Sequence, residues 1–186
     1  LANVNGAFGL RPVRNGNGNA PRVTKYAAAA TVYEGSPVCF DGNGAIIQYT
    51  NALALTGDIA GVAANYATSG QDVYVYTDPN QVYEIQITGA ATVAAGDYQA
   101  MFRFAANPEA GSAVTFTSTA SLDIATAGVT AAGAATATPL RLLSYPRRPN
   151  NDITLQNAVV NVMLVPCYTS FGMTMGSAAA DTYTTS

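Results

Sequence analysis

The stretch Val82-Tyr83-Glu84-Ile85-Gln86-Ile87-Thr88 decides the fold class. Tyr83, Ile85 and Ile87 fall on one side and Glu84, Gln86 and Thr88 on the other, the period of two that gives a strand an apolar and a polar face. The alternation predicts a β-strand with one face buried and the other wet. Just upstream, Asp72–Tyr76 sets Val73 and Val75 against Tyr74 and Tyr76, and Asp78, Pro79 and Asn80 supply a turn between the two runs. The pair reads as a hairpin.

Working outward, residues 38–40 and 45–49 read as a second hairpin across Asp41-Gly42-Asn43-Gly44, whose residues permit a tight turn. The register of that pair is left open. Ile59–Ala63, 114–117, 140–145 and 159–165 are further strand candidates, and the last, apolar on both faces, reads as a central strand. Between 124 and 138 the chain is rich in Ala, Thr and Gly, but Gly128, Gly133 and the threonines oppose a helix, so a loop or weak strand is expected. Short β-type runs separated by turn signals predict an all-β fold, a small antiparallel β-barrel or sandwich, with extended N- and C-terminal arms. The divisions are an N-terminal arm over 1–22, a β-domain over 23–165 and a C-terminal arm or tail over 166–186. For the first segment two readings stay open. The Asn15-Gly16-Asn17-Gly18-Asn19 run with Pro12 and Pro21 suits an arm with a flexible turn, and equally a strand-like segment tucked against its own domain with an ordinary loop.

Of the 186 residues, 49% are apolar and only 10% charged, against roughly 25% charged in a typical soluble domain. Such a surface must be covered by Thr, Ser, Asn, Gln and Tyr, which suits lasting contact with neighbouring subunits and equally a robust Thr-rich β-protein. The formal net charge of −3 provides no basic footprint for nucleic acid or for an anionic membrane. No run approaches the length of a transmembrane helix, and no basic flank precedes an apolar core as in a signal peptide, so a soluble, unsecreted chain is expected. Cys39 and Cys167 do not make a disulfide framework; buried free thiols are the favoured reading, with a disulfide between the two as the alternative.

The chain contains no histidine, which removes the commonest general base, the Ser/His/Asp and Cys/His triads and zinc–histidine sites. No phosphate-cradling glycine motif occurs. Glu34, Glu84 and Glu109 are the acids a carboxylate-only glycosidase would need, but Glu84 reads as a solvent-facing strand residue and Glu34 as a turn residue before Gly35. Asp72, Asp78 and Asp97 lack calcium-loop spacing and read as turn and cap residues. The densest charge lies at Arg147 and Arg148, between Pro146 and Pro149. There a guanidinium fork can hold a carboxylate of an adjacent subunit, or the pair can sit in a solvated loop. No catalytic residue, cofactor or metal is assigned.

The run Asn5-Gly6-Ala7-Phe8-Gly9-Leu10-Arg11-Pro12-Val13-Arg14 resembles the opening of many small phage structural proteins, which often read Ala-Pro-Phe-Gly-Leu-Arg-Pro-Val. The resemblance continues in order through Tyr33-Glu34-Gly35-Ser36-Pro37-Val38, Ile59-Ala60-Gly61-Val62 and Asp78-Pro79-Asn80-Gln81-Val82-Tyr83-Glu84-Ile85-Gln86. It ends with Leu140-Arg141-Leu142-Leu143 and Arg148-Pro149-Asn150-Asn151-Asp152. On these residues the chain resembles the bacteriophage capsid decoration, or cement, proteins, although Gly35-Ser36-Pro37-Val38 stands where that family commonly has Gly-Asp-Pro-Val. The resemblance implies a β-rich protein, made in the bacterial host cytoplasm, that sits on the capsid exterior of the virion. Its partners would be the major capsid protein and further copies of itself; separately, a trimer is expected over a dimer, and no nucleic acid, membrane or cofactor is expected. Phe8, Leu10, Arg11, Val13, Arg14, Arg147 and Arg148 are the candidate interface residues. The competing class is a phage fibre, tail or adhesion component that binds a receptor or glycan, which an exposed aromatic platform would favour.

Overall fold

In the computed structural model, Tyr83 and Ile85 on the strand Gln81–Gln86, and Ile87 just beyond it, are fully buried. The two-residue period thus faces the core as the sequence demands. The structure describes residues 3, 6–15, 18–50, 59–88, 93–94, 97–105, 111–112, 114–123 and 140–164. The 124–138 segment, the 166–186 tail, Glu109 and Cys167 lie outside them.

Among the described residues the chain forms β-strands and no α-helix. In chain order these are β1 Arg11–Asn15, β2 Val23–Ala27, β3 Pro37–Phe40, β4 Ile46–Gln48, β5 Ile59–Ala63 and β6 Asp72–Tyr76. They continue with β7 Gln81–Gln86, β8 Met101–Phe104, β9 Leu122–Asp123, β10 Leu140–Ser144 and β11 Val159–Leu164. One sheet has the order β1-β7-β11-β10-β8-β9 and the other β2-β6-β5-β3-β4, with antiparallel pairing throughout. The fold is all-β, a sandwich whose sheets are not closed as a barrel.

The apolar residues form two clusters. Tyr83, Ile85, Phe102, Phe104, Leu140, Leu142, Val160 and Val162 of the first sheet meet Cys39, Ile59 and Val62 of the second. On the far side of the second sheet, Val38, Ile46, Ala60, Ala63, Val73 and Val75 pack with Ala28, Val32 and Ala67. A single isolated bridge, Ala28↔Ile46, reaches from just past β2 to the edge strand β4, with no ladder between those strands to close the sheet. Strand β5 lies between the clusters and is buried along its whole length. Its small residues permit this, since Gly61 runs so close to β6 that a Cβ there would collide with the Tyr76 carbonyl oxygen.

The β3–β4 hairpin forms with the register Val38↔Gln48, Cys39↔Ile47 and Phe40↔Ile46. Strand β11 is central, flanked by β7 and β10, but its burial alternates, with Val160, Val162 and Leu164 inside and Val159, Asn161 and Met163 half-covered.

Three expectations are corrected. The β6 and β7 runs do not pair as a hairpin, because β6 belongs to the five-stranded sheet and β7 to the six-stranded one. The Asp78 turn, closed by Asn80 N–H on Asp78 Oδ1 at 2.8 Å, carries the chain across the sandwich. Residues 114–117 are not a strand but a turn in which Ser112 Oγ accepts the Val114 and Thr115 N–H groups at 3.3 and 3.2 Å. Glu84 is not wet: it is 7% exposed and paired with Arg148, because the 146–157 loop folds back over that face of β7.

Candidate docking surface

Within the N-terminal segment, β1 pairs antiparallel with β7 through Arg11↔Glu84 and Pro12↔Tyr83. Pro12 is accommodated because β1 is an edge strand and needs no second ladder. Val13 is the extra residue of a bulge between Pro12 and Arg14, which turns its side chain outward to 45% exposure. Leu10, just before the strand, is 1% exposed in the inter-sheet core.

The segment is also locked at a glycine pair. Gly9 and Gly35 have φ of +72° and +80°, and a Cβ on Gly9 would lie 2.6 Å from the Gly35 carbonyl oxygen, so only glycine allows the chains to approach. Leu10 N–H donates to Gly35 O at 2.9 Å and Gly35 N–H to Ala63 O at 2.8 Å. The same turn holds the 111–118 loop, through Glu34 N–H on Phe116 O at 3.1 Å and Ser118 N–H on Glu34 O at 2.7 Å. Phe8-Gly9-Leu10, Glu34-Gly35-Ser36 and the end of β5 therefore meet at one node.

From this node the 111–118 loop projects apolar side chains into solvent. Val114 is 88% exposed and Phe116 49%. Phe116 has φ of +56°, a backbone conformation that costs a bulky side chain energy and persists because its surroundings impose it. The Phe116 ring lies 4.7 Å from Tyr66, and Tyr66 lies 5.7 Å from Tyr33. The rings are tilted by 50° and 46°, so the three are not coplanar and form a ridge. These residues escaped the sequence reading because Val114 and Phe116 alternate with Thr115 and Thr117 as a strand would. The available signal was Gly111-Ser112, a turn dipeptide whose hydroxyl caps the amides that follow.

The predicted interface residues separate into groups. Phe8 carries the Arg11 guanidinium 4.3 Å above its ring centre, and both line a cleft of about 90 Å³ with Glu34, Tyr76 and Thr117. Phe8 also lines a cleft of about 190 Å³ with Arg148, Gln86 and Asn151. Arg148 meets its carboxylate within its own chain, at Glu84, whereas Arg147 is exposed. Arg14 stands in β1 opposite Val82. Leu10 faces the core. The structure thus brings Phe8, Arg11 and Arg148 together, leaves Val13 exposed at the β1 edge and buries Leu10 in the inter-sheet core.

The acids have structural partners. Asp72 pairs with Lys25 at 2.8 Å, and Asp97 Oδ2 accepts the Ala94 N–H at 2.6 Å. Among the described residues no three His, Cys, Asp or Glu side chains cluster closely enough to hold a metal ion. Hydrogen bonds from Thr154 keep the Asp152 carboxyl below its ordinary value of 3.8; its backbone N–H meets Asn3 Oδ1 at 2.8 Å, which ties the chain start to the 150s loop. Burial pushes the Cys39 thiol up to about 11, the mark of an inert packing thiol rather than a nucleophile. No protein-family model matches the chain, and no curated protein sequence matches it.

Proposed function

We propose that this chain is a non-enzymatic virion structural protein that binds the outer surface of a phage capsid and reinforces contacts between major capsid subunits. The observation that carries the reading is the spatial union of the segments in which the resemblance lies. The Phe8-Gly9-Leu10 run, the Glu34-Gly35-Ser36 turn and the Ile59–Ala63 strand are joined by Leu10 N–H on Gly35 O and Gly35 N–H on Ala63 O. Residues that are scattered through the sequence thus serve one node, and that node presents the apolar ridge of Val114 and Phe116. An exposed, pre-organised apolar tip on a charge-poor surface loses little ordering entropy on docking. Many copies on a lattice then add avidity, whether the protein docks singly or as a homo-trimer.

Co-sedimentation of the purified protein with undecorated phage heads, followed by thermal or osmotic challenge, tests the proposal. The expected result is saturable binding that makes the shells more resistant, with binding weakened by Val114→Asp and Phe116→Ser while the thermal melt of each variant stays near that of the parent. Failure to bind heads refutes the reading. Binding without added resistance replaces reinforcement with a display or adhesion role.

A further inference from the structure

Asn-Gly steps occur at 5–6, 15–16, 17–18 and 43–44. Such steps are chemically fragile because a glycine nitrogen, unshielded by a neighbouring Cβ, can reach the preceding side-chain amide. The reaction is favoured where that nitrogen is free of hydrogen bonds and no neighbouring side chain obstructs it. The structure separates two of these steps on that criterion.

At 43–44 both residues are exposed in the β3–β4 loop. Gly42 and Gly44 have φ of +89° and +87°, with nothing within 4 Å of a Cβ on either. Asp41 Oδ1 accepts the Asn43 N–H at 2.8 Å and the Ala45 N–H at 3.0 Å, the amides on either side of Gly44. Among the described residues the Gly44 N–H itself has no acceptor. At 5–6 the corresponding nitrogen is occupied, since Gly6 N–H donates to Gln86 Oε1 at 3.2 Å. The adjoining Asp41-Gly42 step is also disfavoured, because the Asp41 carboxylate is an anion engaged by two backbone amides and a poor electrophile.

We infer that Asn43 is a site of spontaneous covalent modification in the folded protein. The Gly44 nitrogen bonds to Asn43 Cγ as the bond from Cγ to the side-chain nitrogen breaks, and that nitrogen departs with the Gly44 amide proton as ammonia. Water then opens the five-membered imide at one of its two carbonyls, leaving aspartate or isoaspartate, with nothing oxidised or reduced. Either product places a second carboxylate beside Asp41. Isoaspartate also adds one methylene to the main chain of a tight loop, which pulls against the Asp41 N–H to Ala45 O bond of 2.9 Å that closes it.

The test is to hold the full chain at mildly alkaline pH, folded and in urea, and to follow conversion at each asparagine by peptide-mapping mass spectrometry. Asn43 should convert at rates within about twofold in the two states, while Asn5 should convert on the order of tenfold faster in urea, where its protection by opening is lost. Asn43→Gln should remove the signal without altering the melt. Strong suppression at Asn43 in the folded protein, or no conversion there in either state, overturns the inference.

Discussion

Replacing Leu10 by alanine measures whether the N-terminal segment is part of the sandwich or an attachment to it. The side chain is 1% exposed, and the change deletes three carbons, about 2.4 kcal/mol of transfer free energy at ~0.8 kcal/mol each. The backbone on either side is fixed by β1 pairing and by the Gly9–Gly35 contact, so the site cannot collapse around the void. A cavity contribution brings the expected loss to about 3–4 kcal/mol, inside the ~2–5 kcal/mol range of such substitutions. For a chain of this length that corresponds to a fall in Tm of roughly 6–16 °C. Val13→Ala is the matched control. Its side chain is 45% exposed on the bulge, and the expected change is below about 0.5 kcal/mol. Urea unfolding followed by far-ultraviolet circular dichroism and tyrosine fluorescence, the chain having no tryptophan, gives both values. If Leu10→Ala proves as mild as Val13→Ala, residues 8–15 leave the sheet without cost and the packing argument fails.

Gly61→Ala should destabilise by about 1–3 kcal/mol or prevent folding, because the new methyl meets the Tyr76 carbonyl; an unchanged urea midpoint would contradict the close approach of β5 and β6. Arg148→Ala should cost roughly 1–3 kcal/mol by stranding the nearly buried Glu84. Adding Glu84→Gln should recover part of that loss, and a double-mutant cycle with no coupling would deny the pair a role. In a Cys167→Ser background, Cys39 should react with a thiol reagent slowly in the native state and quickly in urea. Its thiol, raised from 9.0 to about 11 by burial, adds stability that is present below pH 9.0 and lost as the pH rises toward about 11, since the unfolded chain ionises first. Urea midpoints that fail to decline more for the parent than for Cys39→Val across that window would refute the assignment.

What the sequence discloses depends on how local the deciding interaction is. Tyr83, Ile85 and Ile87 announce a strand because alternation is a local property, and the Asp41–Gly44 turn announces the β3–β4 hairpin for the same reason. The Asp78 turn misleads because an arch between sheets and a hairpin within one use the same turn residues; what separates them is the partner each strand finds. Glu84 was legible as polar but not as buried, since its cover arrives from Arg148, far along the chain. At the candidate surface, Phe8, Arg11 and Arg148 were legible as residues of interest, but Val114 and Phe116 were hidden by strand-like alternation. Leu10 could not be told from an exposed anchor until the Gly9–Gly35 contact fixed which way the segment faces.

Strand β5 has a consequence for how the molecule fails. Ile59 and Val62 belong to the inter-sheet cluster, and Ala60 and Ala63 to the cluster enclosed by the five-stranded sheet. Neither cluster can melt while the other stays intact, because both would lose the same strand. Loss of order is therefore a single cooperative event rather than a peeling of one sheet from the other. Shared burial of β5 thus couples the two clusters, a property that suits the proposed role of holding neighbouring subunits together.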